Sequence, residues 1–369
     1  MSEESAKRII VVLGMHRSGT SAITRALTLL GVELGEDLYP AGFDNPTGFW
    51  EDQSVLEIND QLLACQGSGY VRLALAWEQF ENEEEVSRLK SKATQLVSKK
   101  MIECKGIWGF KDPRTCRLLS FWAEIFQSLE CKVSYVIALR NPVSVVVSLG
   151  ERNNIPAERA YLLWLQHMLP AVLQTNDSDR VIVDYERLLN APYEQLVRMS
   201  SSLNLPLPSR DSPSVREFEN VFLQPHLCHS QFSLPELLRD NRAPVCVGSL
   251  YQLLALVASD QEVLDAIGVY DVLNKLKADL AAVVPIFNFV NFLEDEKASL
   301  LYSVTQREAR IEHLNRKIAA LNDAALQHDN QIAALNDAAL QHDNQIAGLL
   351  NSRSWRLTKP LRYLWRRFL

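Results

Sequence analysis

The chain has 369 residues, of which 47% are hydrophobic and 22% are charged. This is the composition of an ordinary globular protein, and the length allows two or three domains. No continuous apolar run approaches the roughly 18 residues that span a bilayer, and the first eight residues are polar, so we expect a cytoplasmic protein. The formal net charge is −7, and this acidic balance argues against nucleic acid as the main partner.

The six cysteines are scattered along the chain, and no two of them form a CxxC pair. This pattern predicts buried, reduced thiols. Cys228 lies close to His226 and His229, but these residues lack a distant second pair of ligands, which makes zinc a weak interpretation. We therefore expect no metal site.

The first ordered region predicted by the sequence combines a strand, a glycine-bearing loop and a helix. Residues 9–13 are all apolar, which is typical of a parallel strand that is covered on both faces. Residues 14–21 are small and polar, and residues 22–30 carry apolar side chains at helical spacing. A loop in this position favours a bound phosphate, because its N–H groups converge and the helix dipole points at the anion. The alternative is a tight turn without a ligand.

The loop sequence GMHRSGTS departs from the nucleotide-binding pattern G-x-x-x-x-G-K-[ST] at one position. Gly14, Gly19 and Ser21 keep the pattern, but Thr20 stands where the lysine should be, which disfavours an ordinary ATP or GTP enzyme. The cation inside the loop is Arg17. The stretch resembles the 5′-phosphosulfate loop of sulfotransferases, in which a Lys or Arg precedes Ser-Gly-Thr. This resemblance implies 3′-phosphoadenosine 5′-phosphosulfate (PAPS) as donor and the following donor-binding residues: Gly14, His16, Arg17, Ser18, Gly19, Thr20 and Ser21.

Residues 31–51 are punctuated by Gly, Pro, Asp and Asn, and they predict a loop near the carboxyl end of the first strand, where ligands bind in open α/β sheets. Its segments DNP at 44–46 and GFWE at 48–51 resemble the DNP-x-G-[FY]-[FW]-E segment of bacterial sulfotransferase-like proteins. Glu51 follows two aromatic residues, and partial desolvation there would raise the pKa of its carboxyl toward that of a useful general base. The alternative is that Glu51 caps the next helix.

The next stretch, residues 53–105, predicts two helices joined by a loop at 67–69. Residues 81–100 are strongly charged, which indicates a solvated helical face.

A second strand is predicted at residues 107–110, and charged residues follow it directly. These residues resemble part of the sulfotransferase segment K-x-H-x-P, in which the His is the general base and the Lys touches the transferring sulfate. The resemblance implies that Lys111 contacts the sulfate, but the His is absent, so the base stays open between Asp112 and Glu51. The alternative is a surface ion pair of Lys111 and Arg114 with Asp112.

A third strand is predicted at residues 133–139, and a helix follows its exit turn. Arg140 and Ser148 are eight residues apart, and they resemble the Arg and Ser that hold the 3′-phosphate of PAPS in sulfotransferases. A guanidinium binds phosphate bidentately, and a hydroxyl adds one donor. A plain ion pair at Arg140 is the alternative. A fourth strand is predicted at 181–184, and the YE-x-L sequence after it resembles the segment that closes the catalytic domain of this family.

The C-terminal part changes character after a stretch, residues 250–276, that is helical in pattern. Residues 318–331 and 332–345 are identical, and because 14 residues are two heptads the duplication preserves the apolar seam. His328 and His342 fall at d positions, where they weaken the packing. We expect a homo-oligomeric coiled coil, with an isolated solvated helix as the alternative. The seam consists of Val304, Ile311, Leu314, Ile318, Leu321, Ala325, Ile332, Leu335, Ala339, Ile346 and Leu349.

The last segment, residues 351–369, carries six cations and no acidic residue, interleaved with aromatic and leucine side chains. This is the composition of an interfacial helix on anionic lipid, and a docking segment for a partner protein is the other interpretation. Similar S-W-R-x-T-x-P-L-R tails occur on bacterial surface-polysaccharide enzymes, which favours an assembly at the inner face of the plasma membrane.

Together these patterns predict an α/β fold, a P-loop-type parallel sheet flanked by helices, followed by a helical region and a coiled coil. The predicted domains are a core at 1–205, its helical completion at 206–295, a coiled coil at 296–350 and a basic tail at 351–369. The resemblance implies a PAPS-dependent sulfotransferase, with a carbohydrate or glycolipid acceptor. Arg17, Lys111 and one carboxylate, Glu51 or Asp112, would act in the transfer. The rival interpretations are a P-loop nucleotide kinase and a non-catalytic assembly protein.

Overall fold

The computed structural model describes residues 7–40, 42, 48–66, 69, 72–73, 83–104, 106–223 and 232–365. The first half of the chain alternates strands and helices in this order: β1 Arg8–Leu13, α1 Thr20–Leu29, β2 Val32–Glu33, α2 Gln53–Cys65, α3 Glu83–Glu103, β3 Ile107–Lys111, a 3₁₀ helix Pro113–Arg117, α4 Leu119–Ser128, β4 Lys132–Leu139, α5 Pro142–Asn153, α6 Ala157–Leu173 and β5 Arg180–Asp184. The second half is helical: α7 Tyr185–Asn190, α8 Pro192–Leu203, α9 Pro213–Glu217, a π-helical turn Phe218–Phe222, α10 Leu234–Arg239, α11 Val245–Ala258, α12 Ile267–Asn351, α13 Arg353–Leu357 and α14 Lys359–Trp365.

The five described strands form one parallel sheet in the order β2-β3-β1-β4-β5. This confirms the predicted fold class, and the four predicted strands lie within one residue of β1, β3, β4 and β5. The fifth strand, β2, falls in the stretch predicted to be a loop. It has two residues, Val32 and Glu33, and so short a strand leaves no apolar run or alternation in the sequence.

Alternate residues of the central strand β1 point to opposite faces of the sheet, as pleating requires. Ile9, Val11 and Leu13 belong to one buried cluster, with the large side chains of α4 and α6. Ile10 and Val12 belong to a second cluster, with α1 and α8. The sheet is therefore covered on both faces, which explains why the sequences of its longer strands are nearly continuous apolar runs.

Two helical predictions are wrong in detail. The charged stretch at 81–100 is more than a solvated face, because α3 buries Val86, Leu89, Ala93 and Val97 along one stripe. The helical pattern at 250–276 is interrupted, because α11 ends at Ala258 and α12 begins at Ile267. Asp260 in this break has a φ of 60°, a left-handed conformation that no α-helix continues through.

The chain divides into two compact units, Met1–Asn291 and Phe292–Leu369. In the first unit, α12 begins with buried residues such as Val269 and Leu273, which pack into the core. By length and composition alone α12 could also cross a membrane, since one of its 18-residue windows has a mean hydropathy of 1.5, with 22% of that window buried in the protein. A search for unbroken apolar runs misses such a window, because an average tolerates polar interruptions.

Gly109 in β3 lies close to residues of both neighbouring strands, the edge strand β2 and the central strand β1. A Cβ at this position would lie 2.5 Å from Val32 Cγ1 and 3.3 Å from the Ile10 carbonyl oxygen. Gly106, just before the same strand, has no neighbouring atom within 4 Å of such a Cβ.

We therefore expect Gly109→Val to lower the free energy of unfolding by about 1–3 kcal/mol, the usual cost of overpacking a buried site. The matched substitution Gly106→Val should change it by less than about 0.5 kcal/mol. Urea unfolding of both variants beside the parent protein measures the difference. Equal effects of the two substitutions would contradict the close β2–β3 packing.

Candidate active site

The loop between β1 and α1 is held in a shape suited to an anion. Arg17 and Gly19 have φ values of 68° and 76°, so left-handed residues flank Ser18. Such alternation turns successive N–H groups toward one point, and the first turn of α1 adds N–H groups that have no acceptor within the helix. The Ser18 N–H donates to the Met15 carbonyl at 3.2 Å, whereas the Ser18 Oγ is buried and has no hydrogen-bond partner among the described residues. A buried hydroxyl in this state suits an oxyanion ligand.

Two glycines let other elements approach this loop closely. A Cβ on Gly14 would lie 2.8 Å from the Ala138 carbonyl oxygen of β4. A Cβ on Gly19 would lie 2.0 Å from the ring of Tyr185, the first residue of α7. The glycine spacing of the loop therefore reflects packing against β4 and α7 as well as backbone conformation.

The two predicted phosphate-binding groups, the loop at 14–21 and the Arg140–Ser148 pair, contact each other directly. Arg17 Nε donates to Ser148 Oγ at 2.8 Å, and Arg140 Nη1 donates to the Arg17 carbonyl oxygen at 2.9 Å. The guanidinium of Arg140 also stacks over the Tyr185 ring, 5.1 Å from its centroid. Because β1 and β4 are neighbouring parallel strands, their carboxyl ends bring the loop and the start of α5 together.

This arrangement concentrates positive charge. Burial lowers the pKa of Arg17, and the nearby cations Arg152 and Arg140 lower it further. The positive charges of these arginine side chains repel one another, and a bound anion would offset that repulsion. The cluster therefore has the charge and the position, at the carboxyl edge of the sheet, that suit a bound anion.

Glu51 forms a buried ion pair beside this site. Its Oε1 lies 2.7 Å from Lys111 Nζ, and both side chains are almost completely buried. Burial raises the pKa of Glu51; Lys111 opposes the rise, and the neighbouring Asp112 adds to it. Trp50, the preceding residue, has a φ of 60°, a left-handed conformation that is uncommon for a bulky residue.

Asp112 is placed differently. Its Oδ1 accepts hydrogen bonds from the Arg114 N–H and Nε at 3.0 and 2.9 Å, and its Oδ2 accepts one from Asn59 Nδ2 at 3.0 Å. The carboxylate is fully buried and caps the 3₁₀ helix that begins at Pro113. Trp122 Nε1 donates to the Asn59 Oδ1 at 2.8 Å and fixes the amide. Both oxygens of Asp112 are thus engaged in holding the turn after β3.

The remaining predicted site residues line the inner side of the loop. His16 is half-buried and packs edge-on against His167, with ring centroids 5.9 Å apart. Burial lowers the pKa of His16 well below its ordinary range, so its imidazole is neutral at pH 7. Thr20 is buried, and Ser21 Oγ donates to the Phe49 carbonyl oxygen at 3.1 Å, which ties the loop to the segment before Glu51.

Some sequence predictions fall outside the described residues. The DNP segment at 44–46 and the group at 226–229 are among them. In the part of the chain that the structure describes, no group of three or more His, Cys, Asp or Glu side chains is arranged to hold a metal ion.

Sequence reasoning missed residues that support the site from a distance in the chain. Cys116 Sγ accepts a hydrogen bond from the Gly14 N–H at 3.0 Å, and burial raises the pKa of this thiol to about 12. Asn59 and Arg152 were also missed. None of these residues lies in a motif, so only the folded chain brings them to the sheet edge. Tyr185 belongs to the YE-x-L segment, and that resemblance was the signal available for it.

Two solved structures similar to this chain are sulfotransferase domains. The domain from the olefin synthase of Synechococcus PCC 7002 is 16% identical, with a TM-score of 0.37, and the match covers 76% of this chain and 97% of that one. The domain from the curacin biosynthetic pathway is 15% identical, with a TM-score of 0.35, and the match covers 74% and 98% of the two chains. No family model and no curated protein matches the chain. The function is therefore inferred from the residues of the site.

The Glu51–Lys111 pair yields a stability test. Lys111→Met leaves the Glu51 carboxylate buried without its partner, and we expect a loss of about 3–5 kcal/mol in the free energy of unfolding. The double variant Glu51→Gln/Lys111→Met removes both charges and should recover most of that loss. Urea unfolding at pH 8 measures all three proteins. Equal stability of the single and double variants would show that the pair is not a buried ion pair.

Proposed function

We propose that this protein is a sulfotransferase that uses PAPS as its donor. The observation that carries the proposal is the convergence of Arg17, Arg140 and Ser148 at one loop, together with the buried Ser18 hydroxyl. A donor with phosphate groups at both ends of its nucleoside needs two anion sites a short distance apart. The loop and the Arg140–Ser148 pair offer two such sites.

The residues of the loop fit the 5′ end of this donor. The N–H groups at the start of α1 and the Arg17 guanidinium suit a phosphosulfate, while Arg140 and Ser148 suit the 3′-phosphate. Gly14 and Gly19 act through the backbone by letting the loop lie against β4 and α7. The side chains of His16, Thr20 and Ser21 have supporting contacts or burial in the protein: His16 packs on His167, Thr20 is buried and Ser21 donates to the Phe49 carbonyl oxygen.

In the proposed reaction the donor supplies an activated sulfuryl group. The acceptor hydroxyl passes its proton to Glu51, the acceptor oxygen bonds to sulfur, and the sulfur–oxygen bond to the departing phosphate breaks. Glu51 is the better base of the two predicted carboxylates, because its pKa is raised while Asp112 has both oxygens bonded. Lys111 orients Glu51 through their hydrogen bond, and we assign its ammonium group the further role of stabilising developing negative charge. Arg17 and the loop amides stabilise the charge on the departing phosphate.

A nucleotide kinase is the rival activity, and the loop disfavours it. Thr20 occupies the position at which the P-loop lysine would reach the β- and γ-phosphates. The proposed acceptor is a carbohydrate or glycolipid, an assignment that rests on the family resemblance of the sequence.

Calorimetric titration with 3′-phosphoadenosine 5′-phosphate, the spent donor, tests the proposal. We expect micromolar binding without Mg²⁺, and much weaker binding of ATP under the same conditions, because ATP carries no 3′-phosphate for Arg140.

Arg17→Ala should lose about 10²–10³ in the rate of sulfuryl transfer, the usual effect of removing one charge-stabilising donor, with unchanged circular dichroism. Tighter binding of ATP with Mg²⁺, or near-parental transfer by Arg17→Ala, would overturn the proposal.

We also propose that the second unit assembles copies of the chain. The a and d side chains of the predicted heptads, Ile318, Leu321, Ile332 and Leu335 among them, are all exposed on one continuous helix. Isolated helices draw little stability from propensity and much from packing, so an exposed apolar seam of this length calls for a partner. Assembly without catalysis is the second candidate function, and it rests on this seam.

The basic tail is proposed to bind an anionic surface, either a membrane at the cytoplasmic side or a partner protein. Leu361 and Leu364 of α14 are exposed, and the guanidinium of Arg362 lies 3.6 Å from the centroid of the Trp355 ring. A cation stacked on an aromatic ring beside exposed leucines is a composition that suits an interface.

The seam predicts a matched pair of variants. Ile318→Asp/Ile332→Asp places carboxylates at equivalent a positions of the two repeats and should give the mass of one chain in light scattering. Ala319→Asp/Ala333→Asp places them one residue later, off the seam, and should keep the oligomeric mass of the parent protein. A single-chain mass for the parent itself would show that the seam does not assemble.

A further inference from the structure

Glu186 is a carboxylate that the proposed reaction does not use, although it lies beside the donor site. It is the second residue of α7, next to Tyr185, whose ring contacts both Gly19 and the Arg140 guanidinium. The side chain is half-buried, and its Oε1 is buried without a hydrogen-bond partner among the described residues. An ionised carboxylate in this state is costly, because no hydrogen bond within the described structure replaces the hydration that Oε1 has lost.

Charged and titratable groups face Glu186 from three elements. Asp184 ends β5 and accepts a hydrogen bond from the Arg187 N–H at 2.9 Å, so it holds negative charge near Glu186. Arg140, the residue after β4, supplies positive charge. The negative charge of Glu186 also contributes to a raised pKa of Tyr251 in α11. Burial raises the pKa of Glu186 to about 7; Asp184 raises it further, and Arg140 opposes the rise.

The pKa of Glu186 therefore depends on the charge of Arg140. A phosphate bound to Arg140 neutralises the cation that favours the ionised carboxylate, and it also brings new negative charge close to Glu186. Both effects favour the protonated carboxyl.

We propose that Glu186 takes up a proton when the 3′-phosphate of the donor binds at Arg140, so that Glu186 links donor affinity to pH. This inference rests on the proposed function, since it needs a phosphate at Arg140.

The sign of the linkage follows directly. Below about pH 7 Glu186 is protonated in the free protein as well, so binding takes up no proton there. Above pH 7 the free protein has an ionised Glu186, and binding must restore the proton, so affinity falls as pH rises. A neighbouring like charge shifts a carboxyl by about 1–3 pKa units, so the affinity should fall about fivefold to fiftyfold between pH 7 and pH 9. The phosphate itself is fully ionised in this range, because its second pKa is about 6.

Titration calorimetry of the full chain with 3′-phosphoadenosine 5′-phosphate at pH 8 measures the proton uptake. The experiment is repeated in two buffers of different ionisation enthalpy, and the difference in apparent binding enthalpy gives the number of protons. We expect an uptake of about 0.4 to 0.9 proton for the parent protein, from the same shift of about 1–3 pKa units. Glu186→Gln, which mimics the protonated carboxyl, should take up none and should keep its affinity from pH 7 to pH 9. Glu194→Gln, an exposed glutamate on α8, should behave like the parent protein.

The outcomes separate this inference from the proposed function. Binding of the nucleotide without proton uptake by the parent protein overturns the role of Glu186 and leaves the donor site intact. Equal uptake by the parent protein and Glu186→Gln assigns the proton to another group and also overturns it. Failure of the nucleotide to bind at any pH overturns the proposed function and this inference together.

Discussion

The hydrogen bond from Arg140 to the Arg17 carbonyl oxygen is the contact on which the arrangement of the site depends. It joins the loop after β1 to the turn after β4, and these elements can meet because their strands are parallel neighbours. The bond also has a cost, since it draws two guanidinium groups together in a partly buried place. Hydrogen bonds to a carbonyl and a hydroxyl hold the two arginines in position, and both of these acceptors are neutral groups. A site built in this way is pre-organised for an anion, and the sheet provides the rigidity that keeps it so.

The two carboxylates near the sheet edge show how environment separates chemically identical groups. Asp112 accepts hydrogen bonds at both oxygens and caps the 3₁₀ helix that follows β3, directly after Lys111. Glu51 is held mainly by one lysine, and its pKa is raised by burial. A desolvated carboxyl such as Glu51 accepts a proton more readily than one in water, whereas both oxygens of Asp112 are already engaged by donors. Burial raises the pKa of both Glu186 and Asp184, but backbone N–H groups that donate to Asp184 oppose the rise there, whereas the buried oxygen of Glu186 has no donor in the described structure.

Much of the fold was predictable from local pattern, and the site was predictable only in part. Runs such as residues 9–13 and 133–139 are buried on both faces, so each identifies its strand without reference to the rest of the chain. The position of Arg140 at a strand end was equally clear. The pairing of Asp112 with Arg114 was among the alternatives drawn from the sequence, but the contact of Asp112 with Asn59 was not, because Asn59 is 53 residues away in sequence. The break before α12 was missed for a similar reason, since apolar spacing continues across residues 259–266 although the backbone turns at Asp260.

The duplicated segment in α12 follows a different logic from the α/β core. A duplication of 14 residues keeps the heptad phase, so the helix lengthens without any change in which side chains share the seam. In each copy, one heptad has Ile at a and Leu at d, which pack well, and the next has Ala at a and His at d, which pack less well. In the proposed oligomer, sliding one helix by 14 residues would still match one copy with the other. The repeats therefore cannot fix the register by themselves. Ile346 and Leu349 continue the same Ile–Leu layer 14 residues on, so layers that break the pattern, such as Ile311 and Leu314, must fix it. Ile at a with Leu at d, the pattern of these flanking layers, is the combination that favours two parallel strands.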